Sequence, residues 1–160
     1  ETQSAQTLIT QGIKYMGMDA SSPAIPQTCE ANGAYCIGYN VDMHDLAPEA
    51  VLFSYYWNFE PIFTKIITSV ADGTASSSDY YYEGGDCASI SDFNEALVPK
   101  DVQEKVLQAK EDLAKGSIRV YGGELKDNEG NVLVAEGETM RDEEINTQEF
   151  LVENVIGDWK

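Results

Sequence analysis

Polar and aromatic residues suited to recognising a small, flat ligand follow three predicted strands, at the points where the strands end. They are Asp19, Ser21, Ser22, Asn40, Asp42, Trp57 and Asn58. An indole ring stacks on a planar heterocycle, while amide, hydroxyl and carboxylate groups pair with the donors and acceptors at its edge. Because ligands of open parallel sheets bind beyond the carboxyl ends of the strands, these loops predict one binding site.

Four of these residues also have a structural explanation. Asp19 and Asn58 are of the types that cap helices. Asp42 can close a turn, and Trp57 can belong to the core. Residue type and spacing therefore leave binding and structural roles both open.

Catalytic chemistry finds little support in the sequence. The single histidine, His44, lies between Asp42 and Asp45 in a polar loop, without a nucleophile motif or the spacing of a zinc or calcium site. Two glycine pairs, at 84–85 and 122–123, lack the strand-glycine-helix context of a phosphate loop. We therefore expect a protein that is not an enzyme and that needs neither a metal nor a cofactor.

The composition restricts the class of partner. The chain carries 28 acidic and 10 basic residues, for a formal charge of −18. This charge repels phosphate backbones and anionic lipids, which argues against nucleic acid and bare membrane as partners. The chain has 160 residues, of which 42% are hydrophobic, and this is enough to form one hydrophobic core. It opens without an initiator Met on an amphipathic segment, so we expect an upstream segment to have been removed.

The cysteines are an odd set, Cys29, Cys36 and Cys87, without a CxxC spacing. This argues against a zinc site and against a complete disulfide framework. We expect buried free thiols, with a bridge between Cys29 and Cys36 as the alternative.

Short apolar runs alternate with helical patterns over the first two-thirds of the chain. This predicts an α/β fold with a mainly parallel sheet and flanking helices. The predicted helices are 4–11, 23–33 with Ser22 as its cap, one from Asn58 as cap to Gly73, and one from Pro99 to Gly116. The predicted strands are 13–18, 34–39, 51–56 and 80–82. The third helix carries apolar residues on one face, namely Ile62, Phe63, Ile66, Ile67 and Val70.

The last part of the chain has a different pattern. Residues 118–121 and 132–135 are β-like and flank the turn-forming run at 127–130, which predicts a C-terminal β-hairpin extension. We divide the chain into a ligand-binding lobe, residues 1–116, and an extension, residues 117–160, directed toward a hinge or another lobe.

Short motifs occur in a recognisable order along the whole chain. They are residues 5–9 and 11–12, 22–24, 37–43, 46–48, 51–54, 57–58, 72–74, 92–94 with 98–99, and 125–128 before Gly130. In this order and spacing the chain resembles the C-terminal portion of the basic membrane protein family of substrate-binding lipoproteins. The resemblance implies one lobe of a type I periplasmic-binding-protein fold, in which two α/β lobes close on a ligand.

The same resemblance implies a function. The protein would be the substrate-binding component of an ABC importer for a purine base or purine nucleoside, extracytoplasmic, lipid-anchored at full length and partnered by the transporter permease. Two alternatives stay open: a ligand-sensing domain of a receptor or regulator with the same fold, and a nucleoside-acting enzyme with Asp19 or Asp42 as its base.

The predicted site residues match the family pattern to different degrees. Asp42 matches the second acid of a ligand-facing loop, and Ser21 and Ser22 fall in the loop before it. Asn40 stands where the family has an aspartate, and Trp57 where nucleoside-binding members have a lysine. These two departures imply a free purine base such as adenine over a nucleoside.

A complete lobe of the family's fold starts with a strand ahead of the helix at 4–11. That strand lies inside the sheet, so its absence exposes strand edges. We expect it to come from the missing N-terminal lobe or from another copy of the chain, unless the lobe rearranges.

Overall fold

The computed structural model of the protein describes residues 1–76 and 88–158. The helices are α1 (Thr2–Thr10), α2 (Ala24–Ala31), α3 (Glu60–Ala71), α4 (Lys100–Ala114) and α5 (Asp142–Asn146), with a 3-10 turn at His44–Leu46. The strands are β1 (Tyr15–Gly17), β2 (Tyr35–Tyr39), β3 (Val51–Trp57), β4 (Ala88–Ile90), β5 (Leu125–Lys126) and β6 (Val132–Val134). The chain forms two compact units, Glu1–Leu107 and Gln108–Lys160. The predicted division after residue 116 stays a prediction.

The first unit contains a four-stranded sheet in the order β1-β2-β3-β4. The first three strands run parallel, with Tyr15 opposite Tyr35 and Tyr39 opposite Tyr55. Strand β4 joins antiparallel to β3, with Ala88 opposite Trp57. The predicted α/β fold with a mainly parallel sheet and flanking helices is confirmed. Strands β1, β2 and β3 pair directly, so the prediction of a missing strand inside the sheet is wrong: a further strand can join this sheet only beyond β1 or β4.

Helices α1 and α2 cover one face of the sheet. Strand alternation turns Met16, Cys36 and Val51 to this face, where they form a core with Ala5 of α1 and Cys29 of α2. Cys29 and Cys36 are free thiols, fully buried, as predicted. Burial first, and the neighbouring Cys29 second, raise the pKa of the Cys36 thiol to about 12. Burial also raises the pKa of the Cys29 thiol. Burial and a raised pKa both disfavour the reactive thiolate at neutral pH. Cys87 lies outside the described residues.

The opposite face of the sheet carries a row of partly exposed rings. We call it the aromatic face, and it comprises Tyr15, Tyr35, Ile37, Tyr39, Tyr55 and Trp57. The rings of Tyr15 and Tyr35 stack with centroids 5.4 Å apart, and Tyr15 is 69% exposed. Faces of parallel sheets are almost always covered. On this face Tyr15, Tyr55 and Trp57 are exposed, whereas Tyr35, Ile37 and Tyr39 are half-buried.

The third helix forms where the sequence predicts it, but it differs in two details. It begins at Glu60 with Phe59 at the capping position, so the prediction that Asn58 caps it is wrong. Its apolar side faces solvent, with Phe63 56%, Ile67 68% and Val70 63% exposed. The helix ends as predicted at Gly73, whose φ of 69° is a conformation that glycine adopts without a steric cost.

The C-terminal hairpin is present, with β5 antiparallel to β6. Its first strand lies at Leu125–Lys126 and not at 118–121, where only a single bridge, from Gly122 to Thr139, occurs nearby. Backbone N–H groups of Ser117 and Ile118 instead donate to the carbonyl of Asp112, which extends the end of α4. The predicted strand at 80–82 and the glycine pair at 84–85 lie outside the described residues.

Candidate functional site

The candidate site lies at the carboxyl ends of the three parallel strands. Asp19, Ser21 and Ser22 follow β1, Asn40 and Asp42 follow β2, and Trp57 and Asn58 end β3. Parallel pairing brings these three ends to one edge of the sheet. The structure therefore places all the predicted residues on neighbouring loops.

Ser21 and Asn40 are in direct contact. The Asn40 side-chain Nδ2 donates to Ser21 Oγ at 3.0 Å, which ties the loop after β1 to the loop after β2. Asn40 has a φ of 71°, and its backbone N–H donates to the Tyr55 carbonyl at 2.8 Å. Asparagine is one of the few residues that tolerate this left-handed conformation. Among residues 1–76 and 88–158, no hydrogen bond is made to Asn40 Oδ1, which can accept one at the exposed edge.

Trp57 lies at the surface, which rules out a core role for its indole. It is 50% exposed and stacks on Phe59 with an interplanar angle of 24°. Its Nε1 donates a long hydrogen bond of 3.5 Å to the Tyr39 hydroxyl. A half-exposed ring held at its edge by a neighbour presents a fixed plane for stacking.

Two tyrosines that the sequence analysis did not assign to the site complete it. The rings of Tyr39 and Tyr55 lie 5.1 Å apart, and Tyr55 Oη donates to the Met18 carbonyl at 2.6 Å. The pKa of the Tyr55 phenol is raised, first by burial and then by the charge of Asp19. Asp19 therefore lies near Tyr55. Strand alternation contained only part of the signal: it places Tyr55 and Trp57 on one face, but the register irregularity between Cys36 and Gly38 brings that face into line with Tyr39.

Three of the predicted residues have structural partners. Ser22 Oγ accepts from the Ala24 backbone N–H at 3.2 Å, in the first turn of α2. Asp42 Oδ1 accepts from the His44 backbone N–H at 3.0 Å and closes a turn. Asn58 is half-buried and precedes the cap of α3. Asp19, Ser21, Asn40 and Trp57 thus lie together around the two tyrosines, as the residues best placed to meet a ligand.

Asp42 borders two shallow depressions beyond this group. One is lined by Asp42, His44, Asp45, Asp92 and Phe93, and the other includes Asn40, Tyr56 and Ser91. Across residues 1–76 and 88–158, no group of three His, Cys, Asp or Glu residues is arranged to hold a metal ion. Within the same ranges no helix is long and apolar enough to cross a membrane.

Part of one known protein is similar to the chain in sequence. Over 158 residues the chain is 24% identical to a purine-binding protein of Brucella abortus. The matched region covers 97% of this chain and 44% of that protein. No protein-family model matches the chain.

Two solved structures share the fold. A transcriptional activator of the comK gene from Bacillus halodurans has a TM-score of 0.63 and 19% identity, over 72% of this chain and 42% of that one. An ABC transporter solute-binding protein from Conexibacter woesei has a TM-score of 0.54 and 18% identity, over 74% of this chain and 41% of that one. The second confirms the predicted likeness to a periplasmic solute-binding fold.

The chain spans less than half the length of each of these three proteins. The site residues remain predictions, and the structure gives their geometry.

Proposed function

We propose that the chain is part of a substrate-binding protein that takes up a purine base or purine nucleoside for an ABC importer. The observation that carries the proposal is the similarity to a purine-binding protein over 97% of the chain. The site adds what a purine requires, namely an exposed aromatic plane beside amide, hydroxyl and carboxylate groups. The proposal includes no catalytic step.

The named residues would divide the recognition of a purine between its faces and its edge. Trp57 stacks on one face of the base. Asn40 and Asp19 offer oxygen acceptors for exocyclic N–H groups, and the Ser21 hydroxyl supplies a donor or acceptor beside them. A second half of the cleft, from the part of a longer protein that closes on this lobe, would cover the other face of the base.

Transport and location belong to the same proposal. A substrate-binding protein of an importer works outside the cytoplasm, and a lipid anchor would hold it near the permease. The fold shared with the Conexibacter woesei solute-binding protein supports this assignment. To test the anchor, the protein is prepared without a tag from the cell envelope, once from untreated cells and once from cells in which processing of the lipoprotein signal is inhibited. The two preparations are then compared.

A thermal-shift screen of the full-length protein, in which the second half of the cleft is present, tests the ligand. We expect adenine, guanine or hypoxanthine, or their nucleosides, to raise the melting temperature of the protein, because a ligand that binds only the folded state stabilises it. Uracil, cytosine and free ribose should have no effect. If no purine raises the melting temperature, the purine assignment is wrong.

Trp57→Ala separates stacking from general stability. A base that stacks on an aromatic side chain gains about 1–3 kcal/mol, so titration calorimetry should show purine affinity falling by roughly 5- to 150-fold. Tyr15→Ala is the matched control, because Tyr15 is an exposed ring on the same face at the opposite ends of the strands. It should bind purines like the natural chain.

A ligand-sensing domain of a regulator is the second candidate function. Its support is the structure of the Bacillus halodurans transcriptional activator, whose fold overlaps 72% of this chain. Both candidates predict ligand binding, and they differ in the partner. Co-purification with a permease favours the importer, whereas an output domain on the same polypeptide favours the sensor.

A further inference from the structure

Tyr55 of β3 contacts both of the loops that follow β1 and β2. Its hydroxyl donates to the Met18 carbonyl at 2.6 Å, directly before Asp19 in the loop after β1. Its backbone carbonyl accepts from the Asn40 N–H at 2.8 Å, in the loop after β2. One residue therefore joins the ends of all three parallel strands.

The bond to Met18 crosses a gap between two strands that do not pair. Strand β2 lies between β1 and β3, so no sheet ladder connects them. At the usual spacing of paired strands, the backbones of β1 and β3 lie about 10 Å apart. The Tyr55 side chain bridges this distance over β2, where its ring packs on Tyr39 with centroids 5.1 Å apart. The loop after β1 is thereby attached to β3 by a side chain.

We propose that Tyr55 is a positioning residue, whose hydroxyl holds the loop with Asp19 and Ser21 in its binding geometry before a ligand arrives. The inference rests on the proposed function, because it assigns the ligand to this site. A phenol has a single proton, and Tyr55 donates it to Met18. Tyr55 thus acts through the loop and does not itself donate to the ligand.

Asn40 provides a second attachment of the same loop. Its Nδ2 donates to Ser21 Oγ at 3.0 Å, and its own backbone, with a φ of 71°, is held by the bond from its N–H to Tyr55. Both attachments therefore lead to Tyr55, one through the hydroxyl and one through the carbonyl. Tyr55→Phe removes the first and keeps the second.

The position of the loop explains why such attachments matter. Strand β1 has three residues and lies at an edge of the sheet. Met18 is buried, but Asp19 and Ser21 after it are exposed. Exposed side chains that become ordered only on binding reduce affinity, whereas a loop that is already in place avoids this loss.

Nitrogen-15 relaxation of the full-length protein without ligand tests the holding of the loop by itself. We expect backbone order parameters of about 0.85 at Asp19 and Ser21, the value of a rigid backbone. In Tyr55→Phe they should fall toward about 0.6, because the Met18 carbonyl loses its donor. Tyr15→Phe is the matched control, since Tyr15 lies on the same face at the opposite ends of the strands. It should leave both values unchanged.

Tyr55→Phe should fold, because phenylalanine keeps the ring and its contact with Tyr39, and circular dichroism checks this. Order parameters at Asp19 and Ser21 that equal those of the natural protein overturn the proposal.

Titration calorimetry with adenine and adenosine measures the consequence for binding. Tyr55→Phe should bind roughly 3- to 10-fold more weakly than the natural protein, and Tyr15→Phe should bind equally well. Unchanged affinity of a Tyr55→Phe protein with a loosened loop overturns the positioning role. If neither compound binds the natural protein while the loop loosens in Tyr55→Phe, the purine assignment is wrong and the holding of the loop by Tyr55 is confirmed.

Discussion

At the residue scale, Gly38 of β2 lies directly against Ser54 of β3, with no room for a side chain. A Cβ added at Gly38 would lie 2.3 Å from Ser54 Oγ and 3.1 Å from Met43 Cβ. Ser54 cannot move freely, because it is fully buried and its Oγ accepts from the Met43 backbone N–H at 3.0 Å. Only glycine fits at this position.

Gly38→Ala should therefore lower the free energy of unfolding by about 1–3 kcal/mol, the usual cost of overpacking. Urea denaturation measures this loss. Gly17→Ala is the control, because a Cβ at Gly17 meets no atom within 4 Å. That variant should be as stable as the natural chain or more stable by about 0.5–1 kcal/mol. Equal stability of the two variants would contradict the packing described here.

The Tyr55 phenol reports on the geometry of the candidate site. Its pKa is raised above the ordinary value of 10.0, first by burial, then by Asp19 and Tyr39. Because the Tyr55 pKa is higher in the folded state, protonated Tyr55 favours the folded state. This contribution to stability is complete below the pKa of the unfolded state and is lost as the pH rises through the pKa of the folded state. Alkaline pH above about 10 should therefore weaken the fold at Tyr55.

Asp19→Asn should lower the Tyr55 pKa toward its ordinary value, because one of the charges that oppose ionisation is removed. Carbon-13 NMR of ring-labelled tyrosine, assigned with Tyr55→Phe, measures this pKa. Asp42→Asn is the comparison, since Asp42 is not among the groups that act on Tyr55. An unchanged Tyr55 pKa in Asp19→Asn would place Asp19 elsewhere.

The sequence identified the loops of the site but not all of its residues. Asn40 and Trp57 follow strands that are strongly patterned, so their position at the edge of the sheet could be predicted. Tyr39 and Tyr55 lie inside strands, and their pairing depends on the register between β2 and β3. That register contains an irregularity between Cys36 and Gly38, which no local pattern indicates.

At the element scale, the loop of the C-terminal hairpin depends on one carboxylate. Asp127 Oδ1 accepts from the backbone N–H groups of Glu129 and Asn131 at 3.0 and 2.8 Å. Asn131 Nδ2 donates to Asp127 Oδ2 at 2.8 Å. The Asn131 side chain is the main reason that the pKa of Asp127 lies below its ordinary value.

Asp127→Ala should open this loop, because two backbone N–H groups lose their acceptor. Amide hydrogen exchange of Glu129 and Asn131 should become faster, and NMR measures it. Glu129→Ala removes the same charge from the same loop and should leave the exchange of Asn131 slow. Because the folded pKa is depressed, the stabilisation by Asp127 is present above its ordinary value and is lost as the pH falls through the folded value.

Helices were easier to predict than the hairpin for a physical reason. Pro23, Gly73 and Pro99 act locally, so the ends of α2, α3 and α4 were close to those predicted. The first hairpin strand depends on pairing with β6 across a loop, and the apolar residues at 118–121 are not paired there. Strand β4 was missed because three residues of weak pattern become a strand only beside β3.

At the scale of the whole molecule, the alternation of strands and helices sufficed to predict the α/β class. It did not predict which face of the sheet would be covered. The alternation in β1 and β2 puts aromatic residues on the face that the helices do not cover. Because aromatic residues suit a buried face equally well, their type does not indicate which face is covered. The sequence likewise predicted the helix α3 and the residues of its apolar side, but it did not predict that this side would be exposed.

The net charge of −18 has a consequence for the stability of the whole chain. Like charges are closer together in the folded state than in the unfolded state, so self-repulsion destabilises the fold. The screening length falls from about 30 Å at 0.01 M salt to about 10 Å at 0.1 M. Sodium chloride should therefore raise the melting temperature steeply at first and much less above about 0.3 M, with about 2–4 °C for each kcal/mol of relief.

Calorimetry at several protein concentrations separates this effect from association, because self-repulsion within one chain does not depend on protein concentration, whereas association makes the melting temperature rise with it. A melting temperature that stays constant from about 0.01 to about 0.3 M salt would contradict destabilisation of the fold by self-repulsion.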